Sequence, residues 1–456
     1  MRRILIAVGA AVLLAAGFLV LRELRVATGY AAKVLCSGVF VAGRSQESLL
    51  AEDLDWFSWL GSRALRGERT ATSDWQGLGR STAVYREGLG CALAVGASVA
   101  ELRAQGFDPG PAPDRSGIPW PDGDRLAEST PPGVDRAALD AAVANAFAEP
   151  DPEIHRRTRA VIVLYSGRLV AERYGAGFDA QTPLLGWSMT KSVIATLIGI
   201  QVLRGRLDPD SPPPVPAWGG DQRAAITLDH LLRMTSGLAF KERNGAFGDS
   251  TAMLFRSRSA AEYAARSPLA HPPGSFWSYS SGTSNLLGAI LRSSLPGDGS
   301  AYHRFPREAL FDRIGMRSAV LETDAAGNFI GSSFCYATAR DWARFGLLHA
   351  QDGVWRGERL LPEGWVDRVR RPTPPAPQGR YGAHWWLNAG TPGAPEDRPY
   401  PSLPADLFYA SGYEGEFVVV LPSQDLVVVR LGQSEPEQAF DLEGFLGGVL
   451  AAFGPE

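Results

Sequence analysis

The sequence predicts an α+β fold, with one antiparallel sheet built from both ends of a long domain, helices packed against it and an all-helical subdomain between. Two pairs of β-rich runs and the stretch between them carry this expectation. "RAVIVLY" and "RLVAERY" meet at Ser166-Gly167, and "EFVVVLP" and "DLVVVRLG" meet at Ser423-Gln424. Two apolar runs around a short turn read as a hairpin. Between the hairpins, roughly 208 to 390, segments such as "ITLDHLLRMTSGL" and "TARDWARFGLLHA" carry helical spacing. Strands from the two ends with helices between them make a sheet covered by helices.

In chain order, the first element is an uncharged run from Ile4 to Leu21, preceded by Arg2 and Arg3 and followed by Arg22, Glu23 and Arg25. That length crosses a bilayer as a helix, so residues 1–29 are expected to form a transmembrane signal anchor. The amino end would lie in the cytoplasm and the rest of the chain in the periplasm or outside the cell; a cleaved signal is the alternative. Residues 30–106 read as a small mixed segment, helical around "LLAEDLDWFSWLGSRAL" and strand-like at "STAVY". Residues 107–133 are rich in proline, Asp and Gly, which reads as a linker. The main domain is then expected over residues 134–456. Cys36 and Cys91, both before it, are the expected disulfide pair, and Cys335 reads as a buried small hydrophobe.

The main domain opens with "DRAALDAAVANAF", where Leu139, Val143 and Phe147 share a helical face. After the first hairpin an apolar helix is expected from about Ser188 to Leu203. Val193, Ile194, Leu197, Ile198 and Ile200 cover it on every side, the mark of a helix buried within a domain. A last helix is expected over 437–453. With 456 residues and 45% hydrophobic content the chain fills a large core. A net charge of −4 offers no basic footprint for nucleic acid.

The chemistry begins at "GWSMTKSV". Only Lys33, Lys191 and Lys241 among the 45 Lys+Arg residues are lysine. A guanidinium keeps its proton in a protein, whereas a partly buried ammonium gives its proton up. Lys191, three residues after Ser188, therefore reads as a residue selected for proton transfer. Further on, "FWSYSSGTSNLLG" supplies Tyr279 and Ser281, and a tyrosine relays a proton when neighbouring cations lower its pKa. A third element, "YASGYEGEF", places Ala410, Ser411 and Gly412 just before the terminal hairpin. Small residues there let an edge strand approach a substrate and keep a backbone N–H free to donate.

These three elements, in this order, resemble the serine β-lactamase and penicillin-binding-protein superfamily, in particular its class C-like hydrolases: esterases, D-aminopeptidases and 6-aminohexanoate-dimer hydrolase. The resemblance covers about Asp135 to the C-terminus and follows the pattern Ser-x-x-Lys, Tyr-x-Asn or Tyr-x-Ser, and Lys/His-x-Gly. It implies a β-lactamase-like fold and an acyl-enzyme on Ser188, with Lys191 as base and Tyr279 completing the proton relay beside Ser281. It also implies an oxyanion hole made by the N–H groups of Ser188 and Tyr413. The chain departs from the pattern at Ala410, which stands where the family has Lys or His. That departure counts against processing of β-lactams or D-Ala-D-Ala, and leaves ester and small-amide hydrolysis open.

Other candidates are weighed against this reading. "GWSMT" lacks the final glycine of a nucleophile elbow, and the inferred sheet is antiparallel. His230, His303 and His349 lie in helix-like segments and read as structural; His384, Trp385 and Trp386 read as pocket lining or as a packed aromatic cluster. No histidine pair has metal-ligand spacing, so neither metal nor cofactor is expected. Glu414 and Glu416 read as solvated, or as repelling anionic substrates from the cleft. The expected function is a serine hydrolase acting on a small-molecule ester or amide, tied to the membrane through the N-terminal helix. The alternatives are a non-catalytic cell-envelope binding protein of the same fold, or a D-Ala-D-Ala carboxypeptidase or β-lactamase-type enzyme.

Overall fold

A computed structural model describes residues 2–110, 114–127, 131–243, 245, 247–297 and 299–454; the side chains of residues 2–16 and 18 lie outside that description. The chain divides into two compact units.

The first unit comprises Met1–Asp108, Phe240–Tyr263 and Glu322–Asn328. Its centre is a four-stranded antiparallel sheet, Gly61–Leu65, Thr70–Trp75, Leu78–Arg86 and Gly90–Leu93 in that order. The strand expected at "STAVY" lies within the third of these. The helix expected across 49–65 is shorter: it covers Gln46–Ala51, and Gly61–Leu65 instead pairs with Thr70–Trp75. One helix spans Arg2–Phe40. Its second half is built into this unit, with Ala31, Ala32, Leu35 and Cys36 fully buried and Cys36 bonded to Cys91 on the fourth strand.

The expected membrane anchor, with a periplasmic or extracellular catalytic domain, is corrected here. Among the described residues no helix is long and apolar enough to cross a membrane. The apolar run Ile4–Leu21 falls mostly on side chains outside the description. The helix that contains it does not stop at the charges of 22–25 but continues as a packing element of the first unit.

Buried polar groups also hold this unit. Lys33 forms an ion pair with Glu322, both inaccessible to solvent. Glu322 accepts in addition from Ser37 Oγ at 2.9 Å and from the Cys91 N–H at 2.5 Å. A buried charge needs such partners to persist. Gly90 makes room for them, since a Cβ there would lie 2.3 Å from Glu322 Oε1.

The second unit, Pro109–Ala239, Ala264–Leu321 and Phe329–Glu456, contains a six-stranded antiparallel sheet. Its order is Trp386–Leu387, Phe408–Gly412, Glu416–Leu421, Leu426–Gly432, Thr158–Tyr165 and Arg168–Tyr174. The two predicted hairpins thus become neighbours, because Leu426–Gly432 pairs with Thr158–Tyr165. Both faces are covered, which explains why the central strands Glu416–Leu421, Leu426–Gly432 and Thr158–Tyr165 are buried at nearly every position rather than at alternate ones. Val161, Val163, Val419, Leu421 and Val428 pack with Leu139 and Val143 of the Arg136–Ala146 helix and Phe445 and Val449 of the Leu442–Leu450 helix. On the other face lies the Ala339–Ala350 helix, so close that a Cβ on Gly346 would stand 2.5 Å from Val427 Cγ1.

The final helix starts later than the sequence indicates. Pro436 leads into a short 3-10 turn and extended Phe440, and only then does the Asp441 carboxylate cap Gly444 N–H at 2.9 Å. Part of the proline-rich stretch 107–133, Trp120 to Asp124, is held to the sheet's helix. Arg344 donates to Pro121 O at 2.7 Å and Gly123 O at 2.8 Å, and its guanidinium lies over the Trp120 ring.

Candidate active site

The short strand Leu184–Leu185 runs through Gly186 into a 3-10 turn, Trp187–Met189, and then into the Thr190–Leu203 helix. Thr190 through Gln201 are all buried, as the all-round apolar pattern requires. Ser188 therefore lies half-buried on the turn just before the helix, with Lys191 one turn along. Lys191 is 2% exposed, and its Nζ lies 2.9 Å from Ser188 Oγ, 3.1 Å from Ser281 Oγ and 2.9 Å from Ser332 O.

Ser281 is brought there by a second helix, Ser281–Ser293, whose preceding residue Ser280 caps Thr283 N–H at 3.2 Å. Tyr279 sits in the extended segment entering that helix, with Lys191 Nζ 4.9 Å from its ring centroid. Trp386 lies beside Tyr279 with ring centroids 5.3 Å apart, and Tyr381 is 5.0 Å from Trp386.

The third element forms the opposite wall. The strand facing Phe408–Gly412 on its outer side, Trp386–Leu387, reaches only Tyr409 and Phe408, so the Ala410–Gly412 stretch runs on past it. Gly412 is pressed against the serine turn: a Cβ there would lie 2.5 Å from Gly186 O and 2.7 Å from Glu416 Cβ. Only glycine permits that approach. Tyr413 follows, 40% exposed, its ring edge-on to Trp187 at 5.9 Å. Trp187 Nε1 donates to Glu414 Oε2 at 3.1 Å.

Of the two readings of His384, Trp385 and Trp386, the packed cluster describes Trp385, and the solvated reading of Glu414 and Glu416 is corrected. His384 and Trp385 are buried, so of the three aromatic candidates only Trp386 stands beside Tyr279. His384 bonds Ser284 Oγ at 2.9 Å and Leu232 O at 2.6 Å; burial pushes its imidazole down to about 3. Trp385 packs with Phe345, His349 and Phe408. Glu416 is not solvated but 3% exposed. Burial pushes its carboxyl well above the usual carboxylate range against the opposing pull of Arg430 and Arg159. Glu414 bonds Trp187 rather than standing free. Sequence reasoning did not reach Ser332, because it contributes a backbone carbonyl and no residue type signals that role. The "SS" of "SSFCY" gave no other sign.

Comparison with known proteins fits this arrangement. Residues 139–451 match the family model described as Beta-lactamase. The chain belongs to the beta-lactamase family. The stretch named by resemblance, about Asp135 to the C-terminus, is the stretch that matches, and the α+β, β-lactamase-like fold is as expected. A relative of this family member is the 6-aminohexanoate-dimer hydrolase of Paenarthrobacter ureafaciens, 24% identical over 337 residues, which are 67% of this chain and 81% of the relative. Among solved structures, a family VIII carboxylesterase aligns with a TM-score of 0.52 at 15% identity, over 72% of this chain and 99% of its own. The penicillin binding protein from Bacillus halodurans aligns with 0.51 at 16%, over 69% and 100%. As a member of this family the chain is a serine hydrolase.

Proposed function

We propose that this chain hydrolyses a small ester or amide through an acyl-enzyme on Ser188, with Lys191 accepting the serine proton and Tyr279 returning a proton to the leaving group. The observation that carries the reading is the buried Lys191 amine 2.9 Å from Ser188 Oγ. The same amine also donates to Ser281 Oγ and the Ser332 carbonyl. Burial within hydrogen-bond reach of the serine hydroxyl places this amine where a proton can pass between Oγ and Nζ.

In the first half-reaction Ser188 Oγ attacks the carbonyl carbon while its proton passes to Lys191 Nζ. The resulting oxyanion is held by the N–H groups of Ser188 and Tyr413, whose turns adjoin at Gly412 and Gly186. Collapse expels the alcohol or amine, which takes its proton by way of Tyr279. Water then repeats the sequence and releases the acid. Ala410 places no cation for a substrate carboxylate at that point of the edge strand, which favours neutral substrates over β-lactams and D-Ala-D-Ala peptides. The named activities of the relatives, an amide-dimer hydrolase and a carboxylesterase, support the bond class. We place this activity on residues 134–456 and assign none to residues 30–106.

Intact-mass measurement after treatment with a fluorophosphonate tests it. The expected result is one adduct on the native chain, none on Ser188→Ala, and labelling slowed about a hundredfold or more in Lys191→Arg. A folded native chain that takes no adduct, or a Ser188→Ala chain that still does, refutes the assignment.

A further inference from the structure

An oxyanion hole made from two separate segments works only if their spacing is fixed, because each donor must lie within hydrogen-bond distance of the developing charge. Here the two segments are the serine turn and the end of the edge strand. Trp187 immediately precedes Ser188, and Glu414 immediately follows Tyr413. We infer that the Trp187–Glu414 hydrogen bond is a strut that sets the width of the oxyanion hole, making both side chains positioning residues; this rests on the reading of Ser188 and Tyr413 given above.

Four observations carry it. The bond joins Nε1 of one flanking residue to Oε2 of the other at 3.1 Å, and a bond to a carboxylate is stronger than one between neutral groups. The Trp187 ring stands edge-on to Tyr413 at 5.9 Å, so the same side chain braces the residue that carries the second donor. Both Trp187 and Glu414 adopt left-handed backbone, with φ of 41° and 68°. Such conformations in non-glycine residues persist where the surroundings enforce them. Finally, the Glu414 turn is anchored from below. Wholly buried Arg430 donates to Glu414 O at 3.2 Å, Gly415 O at 2.7 Å and Thr158 Oγ1 at 3.0 Å, and Ser434 N–H donates to Glu414 O at 2.8 Å. The strut thus transmits the fixed position of the sheet to the serine turn.

An interaction that acts on the oxyanion changes kcat and leaves ground-state binding alone. The test uses the full chain with p-nitrophenyl butyrate and its thiono analogue, whose sulfur accepts hydrogen bonds poorly. In Trp187→Phe and Glu414→Ala, kcat for the oxygen ester is expected to fall about ten- to a hundredfold with KM within about twofold. The ratio of oxygen-ester to thiono-ester turnover should fall with it, and Glu414→Gln, which keeps an acceptor oxygen, should retain most of both. Should Glu414→Ala not fold, Glu414→Asp, which keeps the charge and shortens the reach, is expected to show the same loss. Variants that keep the parent kcat and ratio, or lose both esters equally, overturn the strut. If that happens while Ser188→Ala is inactive, the proposed nucleophile stands; if Ser188→Ala retains turnover, the reading beneath the strut falls instead.

Discussion

Lowering the pH is expected to destabilise the fold through His349 by an amount the structure allows one to work out. Its ring is fully buried, with Nδ1 2.9 Å from Phe345 O, Nε2 3.1 Å from Thr196 Oγ1 and its centroid 4.6 Å from that of Trp385. Burial pushes its pKa from 6.5 to about 4. The folded chain therefore refuses a proton that the unfolded chain takes up below pH 6.5. The associated stability is fully present above about pH 7 and is lost as the pH falls from 6.5 toward 4. The whole difference is worth about 3 kcal/mol, of which about 2 kcal/mol is gone by pH 5. Urea titrations of the parent and of His349→Gln at pH 8, 6.5 and 5 measure it. The variant is expected to be less stable at pH 8, yet to lose about 2 kcal/mol less than the parent between pH 8 and pH 5. His384 titrates with the same sign, but it is present in both proteins and cancels in the comparison. Parallel losses in the two proteins would refute a neutral His349 in the fold.

Replacing Lys33 by Met leaves the Glu322 carboxylate, inaccessible to solvent, without its cation. The expected cost is about 3–5 kcal/mol, read from the urea midpoint, and an unchanged midpoint would refute a stabilising role for the pair. Gly412→Ala places a methyl group 2.5 Å from Gly186 O and must push the edge strand away from the serine turn. It is expected to cost about 1–3 kcal/mol of stability and to slow fluorophosphonate labelling of Ser188 by more than about tenfold, while Ser411→Ala at the neighbouring position leaves the midpoint near that of the parent.

Much of the site is legible in the sequence because its chemistry depends on residue type. A lysine in a chain that otherwise writes its cations as arginine stands out, and its spacing from Ser188 is local, set by one helical turn. The hairpins at Ser166-Gly167 and Ser423-Gln424 are legible for the same reason, since apolar β-rich runs and turn residues are properties of short segments. Contacts between distant segments left weaker traces. Glu416 looks like any charge beside a glycine turn, and only its strand pairing with Gly412, which turns it inward toward Arg430, makes it a buried group. His384 and Trp385 stand next to Trp386 in sequence, yet His384 has a left-handed φ of 61° and these two are buried while Trp386 packs beside Tyr279. Neither the length and hydropathy of the N-terminal run nor its flanking charges register that its helix continues to Phe40 and carries Cys36 into the first unit's core.

Residue identity and local periodicity by themselves determined the hairpins, the buried helix, the order of the three motifs and the family they imply, because each hairpin, helix and motif is written within a short stretch and their order is read directly along the chain. Tertiary structure decided what the motifs surround. The Ser332 carbonyl that accepts from Lys191, the closeness of Gly412 to Gly186, and the bond from Trp187 to Glu414 join segments that are far apart in the chain. Such contacts follow from how the sheet and helices pack, and packing is a property of the whole domain.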